Sequence, residues 1–222
     1  DDLEELLANS MCDFVYISSP NSTHYQFVKA SLNHNKNIIV EKTAITNLAQ
    51  AKELVYLANE KNLVIYEAFM FKHHDQFLRL KKIINERTYG KVKRVFVNFG
   101  FPHLDSANIR YQPDLGGGAL LDAGAYTLAS VTNLFGTGVL ETSDLEFEDY
   151  GVDINGCCSL KHEGNVRSFL NWGFGLGYLN EMQLWTDDQI IIVDRIFSKP
   201  ANYSASIFTI KNGIRSVEST FS

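Results

Sequence analysis

Cysteine, proline and long apolar runs are all scarce in this chain of 222 residues. Its three cysteines, two of them adjacent, form neither a disulfide framework nor a CxxC metal site, so we expect buried, reduced thiols. No apolar run approaches the roughly 18 residues that a membrane-spanning helix needs. The acidic start DDLEELL lacks the basic end of a signal peptide. We therefore expect a cytoplasmic protein with no membrane partner.

Positive charge is scarce as well. The chain has 20 lysines and arginines against 26 aspartates and glutamates, which gives a net charge of −6. Nucleic acids and anionic membranes both require a basic face, so neither is expected as a partner. A hydrophobic content of 45% and this length are sufficient for a sizeable core.

The first half of the chain alternates between strand and helix patterns. Three β-rich runs and three helical patterns follow one another: Phe14–Ser18, Thr23–Asn35, Asn37–Glu41, Thr46–Lys61, Leu63–Tyr66 and Asp75–Arg87. Thr23 and Gln26 have the spacing of a capping box at the start of the first helix. This alternation predicts βαβ units and a parallel sheet.

After Lys91, short strand patterns separated by glycine, asparagine and aspartate dominate. They are Val92–Asn98, Ile154–Leu160, Val166–Trp172, Met182–Trp185, Gln189–Val193 and Ser206–Ile210. Hairpin-length connections such as His162–Asn165 predict antiparallel pairing. The sequence thus predicts an α/β part followed by an α+β part with a mostly antiparallel sheet.

Two strand ends in the first half carry polar side chains. The segments are Ser18-Ser19-Pro20-Asn21, after the first strand, and Glu41-Lys42-Thr43, after the second. Singly, the first is a common turn and the second a common solvated pair. Because ligands of a parallel sheet bind beyond the carboxyl ends of its strands, their coincidence predicts one shared crevice.

Residues 110–130, RYQPDLGGGALLDAGAYTLAS, place three glycines before a helical run. Asp122 and Tyr126 are four residues apart and so share one helix face, while glycines let the backbone approach a ligand or another element. A phenol has a pKa of about 10 and carries protons poorly at neutral pH unless a cation favours its anion. Lys42 is the candidate cation, and the pair suits carbonyl/alcohol interconversion. The spacing fits a half-buried helix residue and a flexible loop equally well.

Four motifs in order carry a family resemblance: DFVYISSPNSTHYQ, NIIVEKTAIT, LVIYEAFMFKHH and NIRYQPDLGGGALLDAGAYT. They resemble the glucose-fructose oxidoreductase/inositol dehydrogenase (Gfo/Idh/MocA) family of NAD(P)-dependent oxidoreductases. The resemblance implies that residues 1–70 are the C-terminal part of a dinucleotide-binding Rossmann domain with an incomplete parallel sheet. Residues 71–222 are then an α+β substrate and oligomerisation domain with a large, open, mostly antiparallel sheet, incomplete at its C-terminus.

The resemblance also implies what the chain lacks. No GxGxxG fingerprint occurs in the sequence, although family members begin with a βαβ unit that carries one. The start DDLEELLANS resembles a helix that precedes a middle strand of such a domain. We therefore expect a fragment whose first βαβ unit is missing.

The same resemblance assigns residues to the cofactor, NAD or NADP. The expected contacts come from the two polar strand ends and the helix after the first of them: Ser19, Pro20, Asn21, His24, Glu41 and Lys42. It implies Lys42 beside the nicotinamide and Glu41 near its ribose. In the family's Glu-Lys-Pro motif, Thr43 here replaces the proline.

Catalysis and substrate binding are assigned to the glycine-containing segment and Lys42. Tyr126 is the implied proton carrier, with Lys42 and Asp122 as the other catalytic residues. Arg110, Tyr111 and Asp122 are expected at the substrate, and a structural salt bridge is an equally open reading of Arg110. No metal is expected, because His73-His74-Asp75 has no second ligand pair at zinc-like spacing.

Within the family, the motifs are most similar to nucleotide-sugar 3-ketoreductases and, through the tyrosine, to dihydrodiol dehydrogenases. The resemblance implies hydride transfer to or from a sugar, nucleotide-sugar or polyol, and a homo-oligomer, dimer or tetramer, through the open sheet. The alternative is a non-catalytic member that binds a sugar or cofactor or serves in assembly.

Overall fold

The computed structural model describes residues 3–9 and 11–221, which form two sheets with helices packed on them. In the first sheet the parallel strands β1 (Phe14–Ile17), β2 (Asn37–Val40) and β3 (Ile65–Glu67) lie side by side in chain order. The helices of this part are α1 (Leu3–Asn9), α2 (Asn21–Asn33) and α3 (Leu48–Glu60). The predicted βαβ alternation is confirmed. It brings the carboxyl ends of β1 and β2 to one edge of the sheet.

Helix α2 starts differently from the prediction. The helix begins at Asn21 and no side chain caps it, so the predicted capping box of Thr23 and Gln26 is wrong. Thr23 Oγ1 instead donates to the Pro20 carbonyl at 2.8 Å and lies within hydrogen-bond distance of Ser19 Oγ, at 2.6 Å. The hydroxyl therefore fixes the turn that follows β1. Proline at the N-cap position already commits the chain to the helix one turn earlier.

The larger sheet follows. Its strands are β4 (Val92–Phe101), β5 (Val139–Phe147), β6 (Asp153–Lys161), β7 (Arg167–Phe174), β8 (Leu179–Thr186), β9 (Ile190–Asp194), β10 (Ala205–Lys211) and β11 (Ile214–Phe221). They are ordered β11-β10-β9-β8-β4-β7-β6-β5. Every described pair is antiparallel except β4 with β7, which run parallel. The predicted mostly antiparallel sheet and the hairpin at His162–Asn165 are both confirmed.

Two helices, α4 (Asp75–Glu86) and α5 (Ala125–Phe135), cover one face of this sheet. The fully buried side chains of Phe77, Leu80 and Val131 belong to the same apolar cluster as the inward residues of β4 and β7. The opposite face is open and carries a row of aromatic rings. Phe96 stacks on Phe169, with ring centres 5.2 Å apart, and also contacts the half-exposed Trp185.

The expectation of buried thiols is wrong for two of the three cysteines. Cys12 and Cys157 are exposed, whereas Cys158 is buried, and burial raises the pKa of its thiol to about 11. Successive residues of a strand face opposite sides of a sheet, so adjacent cysteines in β6 cannot both point inward.

Among the described residues, no helix combines the length and apolar character needed to cross a membrane.

Candidate active site

A cleft of about 210 Å³ lies where the carboxyl ends of β1 and β2 face the glycine-containing segment. It is lined by Ser18, Ser19, Pro20, Asn21, Glu41, Lys42, Ile109, Arg110, Leu115, Gly116, Gly117, Gly118 and Asp122. Both polar strand ends thus face one crevice. Glu41 is fixed at its rim, because the Tyr16 hydroxyl donates to Glu41 Oε1 at 2.6 Å.

Lys42, at the end of β2, contacts the glycine-containing segment on the other side of the cleft. Its Nζ forms a hydrogen-bonded ion pair with the Asp122 carboxylate and lies 3.4 Å from the Asp122 carbonyl oxygen. The same Nζ lies 4.9 Å from the centre of the Tyr126 ring. The next residue adds a second link, since Thr43 Oγ1 donates to the Leu121 carbonyl at 2.6 Å. The Lys42–Thr43 peptide bond is cis. The end of β2 is therefore bound directly to the segment before α5.

Asp122 is shared between two cations. Its Oδ2 accepts from Arg110 Nε at 2.6 Å while its other oxygen faces Lys42. Burial alone would raise the pKa of the Asp122 carboxyl, but the positive charges and hydrogen bonds of Lys42 and Arg110 outweigh burial and lower it. Asp122 is thus a carboxylate at neutral pH. The salt-bridge reading of Arg110 fits this geometry, and Arg110 also lines the cleft.

Tyr126 is held by a cage of aromatic rings. The rings of Phe69, Phe71, Phe99 and Phe197 have their centres 5.3 to 6.0 Å from its own. Burial, followed by the negative charges of Asp122 and Glu41, raises the pKa of Tyr126 to about 12. The raised pKa is opposite to the expectation that Lys42 favours the phenolate. Burial is its main cause, and Lys42 is ion-paired with Asp122. The hydroxyl has no hydrogen-bond partner among the described residues, so a neutral phenol is free to donate.

The turn that carries Asp122 is wider than an α-helix. Leu120–Gly124 form a π-helical turn, and α5 begins only at Ala125. Asp122 and Tyr126 nonetheless both reach Lys42. Turns of this kind are frequent at functional sites.

Gly116 allows the glycine-containing segment to dock on the start of α2. Its φ is +76°, and a Cβ there would lie 2.9 Å from Asn21 Cβ and 3.0 Å from Ser22 N. Asn21 Nδ2 donates to the Gly116 carbonyl at 3.1 Å, which fixes the contact. The close approach that the sequence predicted is thus to another element of the protein.

Substituting Gly116 by alanine is expected to cost more stability than the same change at Gly164. Both glycines have left-handed backbone, with φ/ψ of 76°/39° and 67°/14°, but a Cβ at Gly164 meets nothing within 4 Å. The backbone penalty of roughly 1 kcal/mol is common to both variants, so only Gly116→Ala adds overpacking, for which about 1–3 kcal/mol is typical. Urea unfolding of both variants measures the difference. Equal losses would show that the contact with Asn21 is not tightly packed.

Of the residues assigned by resemblance, His24, Tyr111 and Tyr126 do not line the cleft. Tyr126 instead contacts Lys42, which does. His24 is fully buried, and its Nδ1 and Nε2 lie 2.9 Å from the Thr43 carbonyl oxygen and 2.8 Å from the Ser19 carbonyl oxygen. It braces both polar strand ends from behind. Tyr111 is also buried, and its hydroxyl accepts from Leu104 N at 3.1 Å. Its ring serves packing rather than substrate contact.

The histidine pair before α4 has local roles. His74 caps the helix, because its Nδ1 accepts from Gln76 N at 3.1 Å, while His73 hydrogen-bonds the Tyr66 hydroxyl. In the described part of the chain, no group of histidine, cysteine, aspartate and glutamate side chains has the arrangement of a metal site.

Asp153 is a site residue that sequence reasoning missed. Its Oδ2 accepts from Leu120 N at 2.6 Å and so anchors the turn that presents Asp122. Asp153 is nearly buried, and burial raises the pKa of its carboxyl. It lies at the first residue of β6, 33 residues from its partner, and no local motif announces it.

Comparisons with known proteins agree with this architecture. Residues 1–69 match a model described as an oxidoreductase family with an NAD-binding Rossmann fold, and residues 77–192 match the GFO/IDH/MocA C-terminal domain. A dTDP-3,4-didehydro-2,6-dideoxy-alpha-D-glucose 3-reductase of Saccharopolyspora spinosa is 33% identical over 213 residues, covering 95% of this chain. The chain spans 64% of that relative's length.

Proteins with lower sequence identity to this chain are similar to it over most of its length. A trans-1,2-dihydrobenzene-1,2-diol dehydrogenase of Xenopus laevis is 28% identical over 76% of this chain and 51% of its own. A 3-ketoreductase from Actinomadura kijaniata, solved in complex with NADP and TDP-benzene, superposes with a TM-score of 0.90 at 27% identity. That match covers 98% of this chain and 67% of the other.

Proposed function

Because the chain belongs to the GFO/IDH/MocA oxidoreductase family, we propose that it interconverts a carbonyl and a secondary alcohol on a sugar, nucleotide-sugar or related polyol. The observation that carries this proposal is the contact of Lys42 Nζ with both the Asp122 carboxylate and the face of Tyr126, at the edge of the cleft. The names of its relatives, reductases and dehydrogenases of sugars and diols, support it. The non-catalytic alternative has no support from the described residues or from these relatives.

The lining of the cleft fits one end of a nicotinamide dinucleotide, NAD or NADP. Hydroxyl, amide, ammonium and carboxylate groups from Ser19, Asn21, Lys42 and Glu41 face it, and these groups match ribose hydroxyls and a carboxamide. Its volume of about 210 Å³ leaves room for one end of the dinucleotide rather than the whole. We propose that these residues and Pro20 hold the nicotinamide end, which supplies the hydride when bound. His24 positions them from behind.

The protein's own residues then handle the proton. Tyr126, neutral because its pKa is about 12, donates its hydroxyl proton to the carbonyl oxygen of the substrate as the carbon is reduced. The Lys42 ammonium stabilises the negative charge that develops on this oxygen. Asp122 holds the ammonium in place, with Arg110 and Asp153 fixing the carboxylate and its turn. In the direction of oxidation the same groups act in reverse.

The domain boundary, assembly and location remain proposals of the same kind. We place the boundary after residue 70, between the end of β3 at Glu67 and the start of α4 at Asp75. The open face of the larger sheet, with Phe96, Phe169 and the half-exposed Trp185, supports a homo-oligomer, a dimer or a tetramer. The reduced thiols of Cys157 and Cys158 favour the cytoplasm. Sedimentation of the native protein measures the oligomeric state.

A direct assay of the native gene product tests the activity. The absorbance of reduced nicotinamide is followed with a panel of keto-sugars, free and linked to nucleotides. We expect oxidation of the cofactor with at least one keto-sugar, and a rate lower by about a hundredfold or more in a Lys42→Met/Tyr126→Phe double variant. Binding of the reduced cofactor without oxidation by any member of the panel would contradict the proposal.

A further inference from the structure

A second cavity, of about 440 Å³, lies beyond the aromatic cage of Tyr126. Its walls include Met70, Phe71, His74, Phe197, Lys199 and Tyr203; we call it the Lys199 cavity. Phe71 and Phe197 each contact the Tyr126 ring, with centres 6.0 and 5.5 Å away. The Lys199 cavity is therefore separated from the proposed proton donor by the thickness of one ring.

Lys199 brings an unneutralised positive charge to this cavity. Its Nζ donates to the Ile196 carbonyl at 3.1 Å, and among the described residues it has no ion pair. Asp194, the carboxylate whose charge acts on it, already accepts a hydrogen bond from the Tyr203 hydroxyl. Burial lowers the pKa of the Lys199 amine to about 8, against the opposing charge of Asp194. The largely desolvated amine has one backbone acceptor and no paired carboxylate, so an anion in the cavity would balance its charge.

His74 adds a second donor beside Lys199. Since His74 Nδ1 accepts the Gln76 amide, the neutral ring carries its proton on Nε2. Burial lowers the pKa of His74, and the charge of Lys199 lowers it further, against the opposing charge of Asp75. Both side chains line the same cavity. No aspartate or glutamate lines the Lys199 cavity, although the chain as a whole has a net charge of −6.

We propose that the Lys199 cavity binds an anionic phosphate or diphosphate group, whose attached sugar or planar base packs on Phe71 and Phe197. Lys199 Nζ and His74 Nε2 supply the donors, and the rings supply the apolar wall. The inference rests on the proposed function in one respect: it narrows the substrate to a phosphate-bearing sugar. The same chemistry would also accept a separate phosphate-bearing ligand.

Calorimetric titration of the native protein tests this site. The probes are thymidine diphosphate and inorganic pyrophosphate, and the variants are Lys199→Met, Lys199→Arg and His74→Asn. Asparagine keeps the cap of α4 but removes the Nε2 donor. We expect Lys199→Met and His74→Asn each to weaken binding about tenfold or more, and Lys199→Arg to stay nearer the wild type. The matched control is Lys52→Met, at an exposed lysine of α3, and it should bind as the wild type does.

A labelling experiment locates the anion. Trinitrobenzenesulfonate should modify Lys199, and the bound probe should protect it several-fold more than it protects Lys52. If the binding of both probes depends on Lys199, the site recognises the anion alone. If only the binding of thymidine diphosphate depends on Lys199, the site binds the nucleoside as well. Either result supports the site. Equal affinity of the wild type and Lys199→Met, no binding of either probe, or an unprotected Lys199 overturns it.

The assay for keto-sugar reduction separates a failure of the proposed function from a failure of the anion site. If the probes bind at Lys199 but no keto-sugar is reduced, the proposed function is wrong and the anion site remains. If keto-sugars are reduced and Lys199→Met changes neither probe binding nor the KM for nucleotide-linked sugars, the anion site is wrong and the proposed function remains.

Discussion

Replacing Tyr126 by phenylalanine is expected to lower kcat for carbonyl reduction by about a hundredfold or more, the effect typical of a lost general acid. The change removes one hydroxyl and leaves the ring in its cage of phenylalanines, so the fold should be unaffected. Because no described residue bonds this hydroxyl, no partner is left unsatisfied. Steady-state kinetics with reduced nicotinamide and a keto-sugar measure the loss.

The control for this variant is Tyr56→Phe, the same change at an exposed tyrosine of α3. It should leave kcat unchanged. A Tyr126→Phe variant that keeps more than a tenth of the wild-type kcat would show that another group, or water, protonates the substrate oxygen.

The pH dependence provides a second view of Tyr126. With a pKa of about 12, the phenol is protonated throughout the neutral and mildly alkaline range. Reduction therefore should not lose its proton donor as the pH rises from neutral towards about 10, well below the pKa of this residue. A steep fall in kcat near neutral pH that disappears in Tyr126→Phe would contradict the raised pKa.

Replacing Lys42 by methionine is expected to lower kcat by about a hundredfold to a thousandfold, as the removal of one group that stabilises a developing oxyanion does. The variant should remain folded, because Asp122 keeps its 2.6 Å ion pair with Arg110. Lys42→Arg retains the charge in a different shape and should recover only part of the rate. Stopped-flow measurement of a single turnover separates this loss from slow product release.

Two comparisons check that the loss arises from the ammonium at the cleft. Lys52→Met, at an exposed lysine of α3, should match the wild type. Lys42→Met should unfold in urea near the wild-type midpoint. If Lys42→Met reduced keto-sugars at more than a tenth of the wild-type rate, Lys42 would have no role at the reacting oxygen.

The secondary structure of the first sheet follows from hydrophobic periodicity, and so does the position of the cleft. Strands β1 and β2 are short apolar runs that end in polar residues, and a parallel arrangement makes these ends neighbours. That argument alone predicts that Ser19 and Lys42 face one crevice, which is where the structure places them. Hydrophobic periodicity does not predict the two edge strands. Every residue of β5 is exposed and β11 is mostly polar, so neither shows alternating buried and exposed positions.

The electrostatics of the site could not be read from the sequence. The pKa of Tyr126 depends on rings supplied by Phe69, Phe99 and Phe197, which are separated along the chain and meet only in the folded protein. The sequence suggests that the charge of Lys42 lowers the pKa of Tyr126, but in the structure Lys42 is ion-paired with Asp122. The anchoring of Leu120 by Asp153 is likewise a contact between distant segments. Long-range partners, rather than local patterns, decide these properties.

A double-mutant cycle on single-turnover keto-sugar reduction tests most directly whether Lys42 and Tyr126 act on the same substrate oxygen. Groups that act as a unit lose activity non-additively. The Lys42→Met/Tyr126→Phe variant should therefore be slowed about as much as the slower single variant, and far less than the product of the two single effects. A double variant slowed by the full product would contradict the account, because the amine and the phenol would then act independently.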